Sequence, residues 1–329
     1  MRIAIAGAGV AGSYIHRQLQ QAGRHDVAIF DVRHRIACGI HPCGYGVDHN
    51  LDPLLRRVGL DPRTYAVHRP PQVLLEGIPA RTTVYMIDKP RLLRDLLEGA
   101  TIQYTPLEPR EYDLVVDATG EKRAYASPLP DDLKARVAQW RVQVDNASPT
   151  LFAPTRRFPG YAWLMPLNEA GTEVHVGAGC MVGSAVSGRD LIQHVLDPFA
   201  VQKTICACGA RIRLSGPDFS RVVDGNIWAV GEAAGLVGPT SGAGIVYALQ
   251  SGLTLTDHLE NPAGYVATLR RQFGHLTHEA RALRKVLAGK VPNIFELYQV
   301  RQGWAKIGIY VSLWDSPRLL GAMRRAYGL

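Results

Sequence analysis

The sequence predicts an α/β fold: a parallel sheet wound with helices, an antiparallel sheet beside it, and a helical C-terminal region. Three observations carry that prediction. An apolar run at the N-terminus passes through a glycine-rich turn into a helical pattern and then a second apolar run. Strand-like alternation appears in residues 136–182. Residues 257–329 are helical in pattern and basic. A helix period of 3.6 and a strand period of 2 separate these regions.

The elements follow in order. Residues 3–6 read as a buried parallel strand. Tyr14, Ile15, Leu19 and Ala22 recur at helical spacing until Gly23. Residues 27–30 read as a second strand, ending at Asp31, 19 residues after Gly12. A short helix is expected near 52–59, and strands within 73–87, broken by Gly77 and Pro79. Leu92, Leu93, Leu96 and Leu97 make a helix after Pro90. Residues 112–118 read as another buried strand. Alternation in Val142-Gln143-Val144 and Glu173-Val174-His175-Val176 predicts an antiparallel sheet with one wet face. Residues 189–206 read as helical, 227–230 as a strand and 243–259 as a helix.

Composition narrows the class. The 329 residues suit two or three structural units at roughly 100–200 residues each. With 47% hydrophobic and 20% charged residues, the chain is neither disordered nor a coiled coil. No run approaches the ~18 apolar residues of a membrane-spanning helix. The apolar N-terminus runs into a glycine turn, so no secretory leader is read. Cys38, Cys43, Cys180, Cys206 and Cys208 form neither a disulfide framework nor a zinc spacing, so a reducing cytosol and no metal are expected. The pairs Cys38/Cys43 and Cys206/Cys208 are close enough in sequence to close short loops.

Three glycine-rich segments carry the chemistry. In the first, Gly7, Gly9 and Gly12 let the backbone approach a pyrophosphate at a helix N-terminus, and Asp31 accepts ribose hydroxyls. Ala11, Val32 and Arg33 are counted with them. The second is the strand end at Ala118, Thr119 and Gly120. The third spans 231–245, with Gly231, Glu232, Gly238, Gly242, Ala243, Gly244 and Ile245. An NAD domain finishes in one continuous segment. These three are far apart, which points to a glutathione-reductase-type FAD-binding domain of the Rossmann kind, completed by late strands. The expected FAD-binding domain is discontinuous, 1–70, 88–128 and 218–256. A substrate-binding sheet domain covers 71–87 and 129–217, and the helical region 257–329.

Four segments then give the chain a family likeness. They are the N-terminal glycine motif, Pro42-Cys43-Gly44-Tyr45-Gly46, Tyr161-Ala162-Trp163-Leu164-Met165-Pro166, and residues 231–245. In this order they resemble the geranylgeranyl reductase family, within the para-hydroxybenzoate-hydroxylase-like FAD enzymes. Met165 stands where the family pattern has Phe, and Glu232 where Asp is commoner. The resemblance implies an FAD-dependent reductase that saturates C=C bonds of a polyprenyl lipid or quinone side chain. NAD(P)H or a reduced electron carrier would supply the electrons. It places Cys43 and Gly44 near the flavin, with Cys43 as the proton donor or as a packed thiol. It makes Tyr45, Tyr161, Trp163 and Pro166 substrate contacts. Tyr161 and Trp163, two apart in a strand, share one face, which serves as a ligand wall or as a core layer. The other readings are an FAD monooxygenase or flavin halogenase acting on an aromatic, and a non-catalytic electron carrier.

Charge adds an expectation about partners. The formal net charge is +8, and residues 257–329 carry eleven Lys and Arg against five Asp and Glu, a net +6. Trp304, Ile307, Ile309, Tyr310, Val311, Leu313 and Trp314, with Arg318, Arg324 and Arg325 beyond, suit a membrane interface and equally a core-facing terminal helix. The expected protein is a cytoplasmic monomer, peripheral at the inner membrane face, with an isoprenoid substrate, an anionic lipid surface as partner and no nucleic acid.

Overall fold

The structure is a computed structural model and describes residues 1–32, 43–75, 77–145, 161–183, 187–312, 318 and 321. Arg33, Cys38, Pro42, Leu313, Trp314, Arg324 and Arg325 lie outside the described residues. In chain order the elements begin with β1 (Arg2–Ala6), α1 (Val10–Ala22), β2 (Asp26–Phe30), β3 (Gly46–Val47), α2 (Leu51–Arg57), β4 (Ala66–His68), β5 (Gln72–Leu75), β6 (Ile78–Thr82) and β7 (Tyr85–Ile87). There follow α3 (Lys89–Leu96), β8 (Ile102–Gln103), β9 (Leu114–Asp117), β10 (Lys134–Val144), β11 (Tyr161–Pro166), β12 (Glu173–Met181), α4 (Gly188–Leu196) and β13 (Val201–Arg213). The chain continues with β14 (Val223–Asp224), β15 (Ile227–Ala229), α5 (Ile245–Thr256), α6 (Pro262–Leu287), α7 (Ile294–Lys306) and β16 (Ile309–Tyr310).

The fold is mixed α/β, as the sequence predicts. Its six-stranded sheet has the order β14-β15-β9-β1-β2-β8. The pairs β15/β9, β9/β1, β1/β2 and β2/β8 are parallel, and β14 adds an antiparallel edge. Ile3, Ile5, Leu114 and Val116 pack on Ile15, Tyr265 and Phe273. β-branched and leucine runs therefore bury one sheet face against α1 and α6, which is why these strands show no alternation. Tyr265 stacks on Trp228 at 5.3 Å and donates its hydroxyl to the Ala229 carbonyl.

An antiparallel sheet of order β11-β12-β10-β13 stands beside it. The expected wet face is only partly present. β10 alternates, but β12 is buried through Val174 to Cys180. Leu191, Ile192 and Leu196 of α4 cover one face of β12, and Trp163 crosses its Gly177 on the sheet.

Two expectations need correction. Residues 189–206 are not one helix. α4 stops at Leu196, just before Pro198, which cannot continue a helix, and Val201–Arg213 forms β13. The β10/β13 ladder supplies the stability that an exposed strand lacks by itself. The terminal region is not wholly helical either. Ile309–Tyr310 pairs with Arg81 and Thr82 of β6, more than two hundred residues earlier. Among the described residues no helix is long and apolar enough to cross a membrane.

Candidate active site

A cavity of about 750 Å3 lies where the sheets meet, within the range of cofactor and small-molecule sites. Part of its wall comes from the strand ends of the parallel sheet: Gly7, Phe30, Asp31 and Thr119. Another part is apolar: Leu75, Val84, Trp304, Ile307 and Ile309. Cys43, Gly44, Tyr45, Tyr161, Trp163, Met165 and residues 240–247 complete it.

The glycine turn is built by close approach. Gly7 has φ +104°, and a Cβ there would stand 2.4 Å from the Ala118 oxygen. A Cβ on Gly12 would stand 1.9 Å from the Gly7 oxygen, whereas one on Gly9 would meet nothing. The turn is thus packed behind and open in front. Asp31 braces it, accepting the Ala8 N–H at 3.0 Å and the Val32 N–H at 2.7 Å.

Helix capping marks the ligand side. Helices α3, α4, α6 and α7 are capped by the side chains of Asp88, Ser187, Asn261 and Asn293. Helix α2 also lacks a side-chain cap but carries Asp52 in its first turn, whereas α1 and α5 begin at Gly9 and Gly244 with neither a side-chain cap nor an acid in the first turn. Their first N–H groups and dipoles attract negative charge. Gly244, Ile245 and Val246 line the cavity, and Gly7 opens the turn into α1. These donors fit the pyrophosphate and the ring system of FAD.

The segment before α5 is held by side chains from elsewhere. A Cβ on Gly242, at φ +69°, would stand 2.6 Å from the Tyr161 hydroxyl oxygen. Thr240 donates to Glu279 at 2.9 Å and accepts the Trp304 indole N–H at 2.9 Å. Burial pushes the Glu279 carboxyl up to about 8, against the Thr240 hydrogen bonds, so it is largely protonated at neutral pH.

Glu232 also lines the cavity. Its carboxylate accepts the Arg213 backbone N–H at 2.8 Å. Burial pushes this carboxyl up to about 7, with Arg213 opposing. The Arg213 side chain is buried and forks onto Asp132 at 2.7 and 3.0 Å. It also donates to the Glu121 and Glu232 carbonyls. Burial raises Asp132, but the Arg213 fork and the Ser215 hydroxyl outweigh it and hold the carboxyl at about 2. Arg123 likewise donates to the Ala233 and Arg221 carbonyls. Two buried arginines therefore tie the 120–123 and 231–234 turns together.

Cys43 is half-buried and its thiol is free. A Cβ on Gly44 would stand 2.2 Å from the Met165 sulfur, so Met165 closes down on this segment. Tyr45 has φ +63°, in the left-handed region that glycine adopts without strain. Its ring meets His175 edge-on, with centroids 4.5 Å apart. Burial, then Arg141 and Lys89, push His175 down to about 3, against a hydrogen bond to the Cys43 backbone. His175 is therefore a neutral support beneath Tyr45. Tyr161 and Trp163 lie 5.6 Å apart, and Trp163 donates to Gln139 at 3.3 Å.

Of the sequence-assigned site residues, Val32, Gly120 and Ala243 also line the cavity. Gly9, Ala11, Gly12, Ala118, Gly231, Gly238 and Pro166 are not part of its wall. Gly231 stands behind it, where a Cβ would meet Ala11 at 3.3 Å, and Pro166 closes β11 opposite Val174. Trp304 and Ile309 are buried in that wall. Arg213, Thr240, Glu279 and Met165 were not singled out for roles from sequence. The pattern around Trp163 and the 231–245 segment gave the only signals near them, at Met165 and Thr240.

No family model matches the chain. It is 22% identical to an uncharacterized protein of Methanocaldococcus jannaschii, over 91% of this chain and 95% of that one. Among solved structures it is similar to a geranylgeranyl bacteriochlorophyll reductase-like protein from Thermoplasma acidophilum, with TM-score 0.72, 13% identity and 98% of each chain covered. It is also similar to the tryptophan 5-halogenase MibH, with TM-score 0.63, 17% identity, and 92% of this chain and 75% of that one covered. For a salicylate hydroxylase the TM-score is 0.59, with 14% identity and 97% and 98% covered. The chain thus has the α/β fold that reductase-like, hydroxylase and halogenase flavoproteins share. Within that fold class, the structural likeness includes the reductase-like type that the four sequence segments resemble.

Proposed function

We propose that the protein is an FAD-dependent oxidoreductase, and specifically a reductase that saturates C=C bonds of a polyprenyl chain on a lipid or quinone. One observation carries the reading. A single cavity joins a glycine turn and an uncapped helix start to an apolar wall of Leu75, Val84, Trp163, Trp304 and Ile309. Bound FAD would supply the two-electron redox chemistry, fed by NAD(P)H or a reduced carrier. The Gly7–Gly12 turn and Asp31 would hold its ribose and pyrophosphate. The first N–H groups of α5, from Ile245 on, and its dipole would favour negative charge on its ring system. Cys43 would hold the proton destined for an alkene carbon. Tyr161 and Trp163 would keep water out, because an unactivated alkene requires a dry, aligned site. The likeness to the geranylgeranyl bacteriochlorophyll reductase-like protein supports this substrate class. The reading includes a cytoplasmic monomer that draws its substrate from a membrane surface.

The test is anaerobic. The FAD-loaded, chemically reduced protein is mixed with a geranylgeranyl-chain substrate, and the product is weighed by mass spectrometry. Gain of two hydrogens per double bond without oxygen supports the reading. A product that forms only with O2 and carries oxygen or halogen replaces it with a monooxygenase or halogenase, the chemistry named for the tryptophan 5-halogenase and the salicylate hydroxylase.

A further inference from the structure

Helix α7 has two unlike ends. At its C-terminal end Trp304 is buried and lines the cavity, followed by Ile307 and Ile309. At its N-terminal end Ile294, Phe295 and Tyr298 are 87%, 55% and 50% exposed, and Val291 in the preceding loop is 56% exposed. Singly exposed apolar residues are ordinary, but four within eight residues form a patch. The capping box of Asn293 and Glu296 fixes where the helix starts, and so holds Ile294 and Phe295 on its first turn.

The chain on either side of the patch is basic. Residues 280–301 contain Arg281, Arg284, Lys285, Lys290 and Arg301 and a single acid, Glu296. Glu296 is buried and paired with Lys285 at 2.7 Å. Arg284 reaches the Asp131 carbonyl and Arg301 the Val311 carbonyl. Arg281 and Lys290 are exposed, Lys290 immediately before Val291. Apolar side chains with exposed Arg281 and Lys290 close by in the chain suit an interface with anionic lipid. A second copy laid on the same patch would bring like charges together.

We propose that Val291, Ile294, Phe295 and Tyr298 form a tip that docks on the anionic surface of a lipid bilayer. The proposal rests on the reading that the cavity takes an apolar chain, and adds where that chain enters from. Ile294 and Trp304 are ten residues apart, about 15 Å along the helix axis. Docking at one end of α7 therefore brings lipid within one helix length of the cavity wall.

The test is flotation of the full chain with phosphatidylcholine vesicles, with and without phosphatidylglycerol, at low and high salt. Binding is expected only to the anionic vesicles, and to weaken as salt rises. An Ile294→Ser, Phe295→Ser double variant is expected to bind at least about tenfold more weakly, with unchanged circular dichroism and sedimentation coefficient. Lys290→Glu, which leaves the apolar residues in place, is expected to bind more weakly at low salt. Variants that bind like the parent protein overturn the proposal, as does a parent that ignores anionic vesicles. So does a double variant that changes the oligomeric state, which would make the tip a contact between copies. Turnover of detergent-dispersed substrate separates the two claims. If it fails while Ile294-dependent binding persists, the prenyl-reductase reading falls and the docking surface stands. If it persists while binding is unaffected, the docking surface falls alone.

Discussion

Trp163 covers Gly177, its cross-strand partner on β12: a Cβ on Gly177 would stand 2.1 Å from the indole ring. The missing side chain lets the indole lie on the sheet and reach Gln139 while still lining the cavity. Gly177→Ala is expected to push the ring away. Overpacking of this kind costs about 1–3 kcal/mol, which a denaturant melt will measure. Affinity for a polyprenyl ligand should fall, as it should in Trp163→Ala, with FAD affinity less affected. A Gly177→Ala protein with parental stability and ligand binding would mean that the indole position is not constrained by this glycine.

Asp31 accepts two backbone N–H groups beside the glycine turn. Asp31→Ala removes the brace and, on the proposed reading, the acceptor for ribose hydroxyls together. FAD affinity is expected to weaken by roughly 1–3 kcal/mol, the cost of leaving buried donors unpaired. Calorimetric titration of the apoprotein with FAD measures this. Asp31→Asn should lie between the two.

Cys43 is predicted to serve turnover and not cofactor binding. Cys43→Ser keeps the size but is a far weaker acid. FAD should still bind and be reduced, while alkene saturation falls by roughly 10²-fold, the scale of a lost general acid. Near-parental product formation would assign the thiol to packing against its neighbours.

Stability should fall below about pH 4.5 and again above about pH 6.5. Burial, with Lys306 adding to it, lowers His275 to about 4, and burial lowers His175 to about 3. The unfolded chain therefore takes up protons below pH 6.5 that the folded chain refuses, and stability falls with falling pH. Burial raises Glu232 to about 7 and Glu279 to about 8. The folded chain keeps those protons above pH 4.5 while the unfolded chain releases them, so stability falls as pH rises toward 8. The two trends oppose each other between 4.5 and 6.5. Thermal melts across this range, compared with Glu279→Gln, check the assignment: the amide should flatten the alkaline decline. An unchanged slope would mean that Glu279 does not carry it.

What the sequence alone determined is what short-range sterics impose. Gly12 and Gly7 lie five residues apart and touch through a single backbone oxygen, so the glycine turn is written in adjacent residues. The strand–turn–helix–strand–acid order, the buried parallel strands and the Trp163 segment were legible for the same reason. Tertiary structure alone decided the rest. Residues 201–206 carry no strand signal strong enough to overrule a helical reading, and only the ladder to β10 makes them β13. Arg213 reaches Asp132 and Glu121 across some eighty to ninety residues, and Trp304 reaches Thr240 across 64. No local pattern encodes such pairs, because their partners meet only after the sheets have packed. The left-handed Tyr45 was equally hidden, since its conformation is held by the burial around it and not by its own preference.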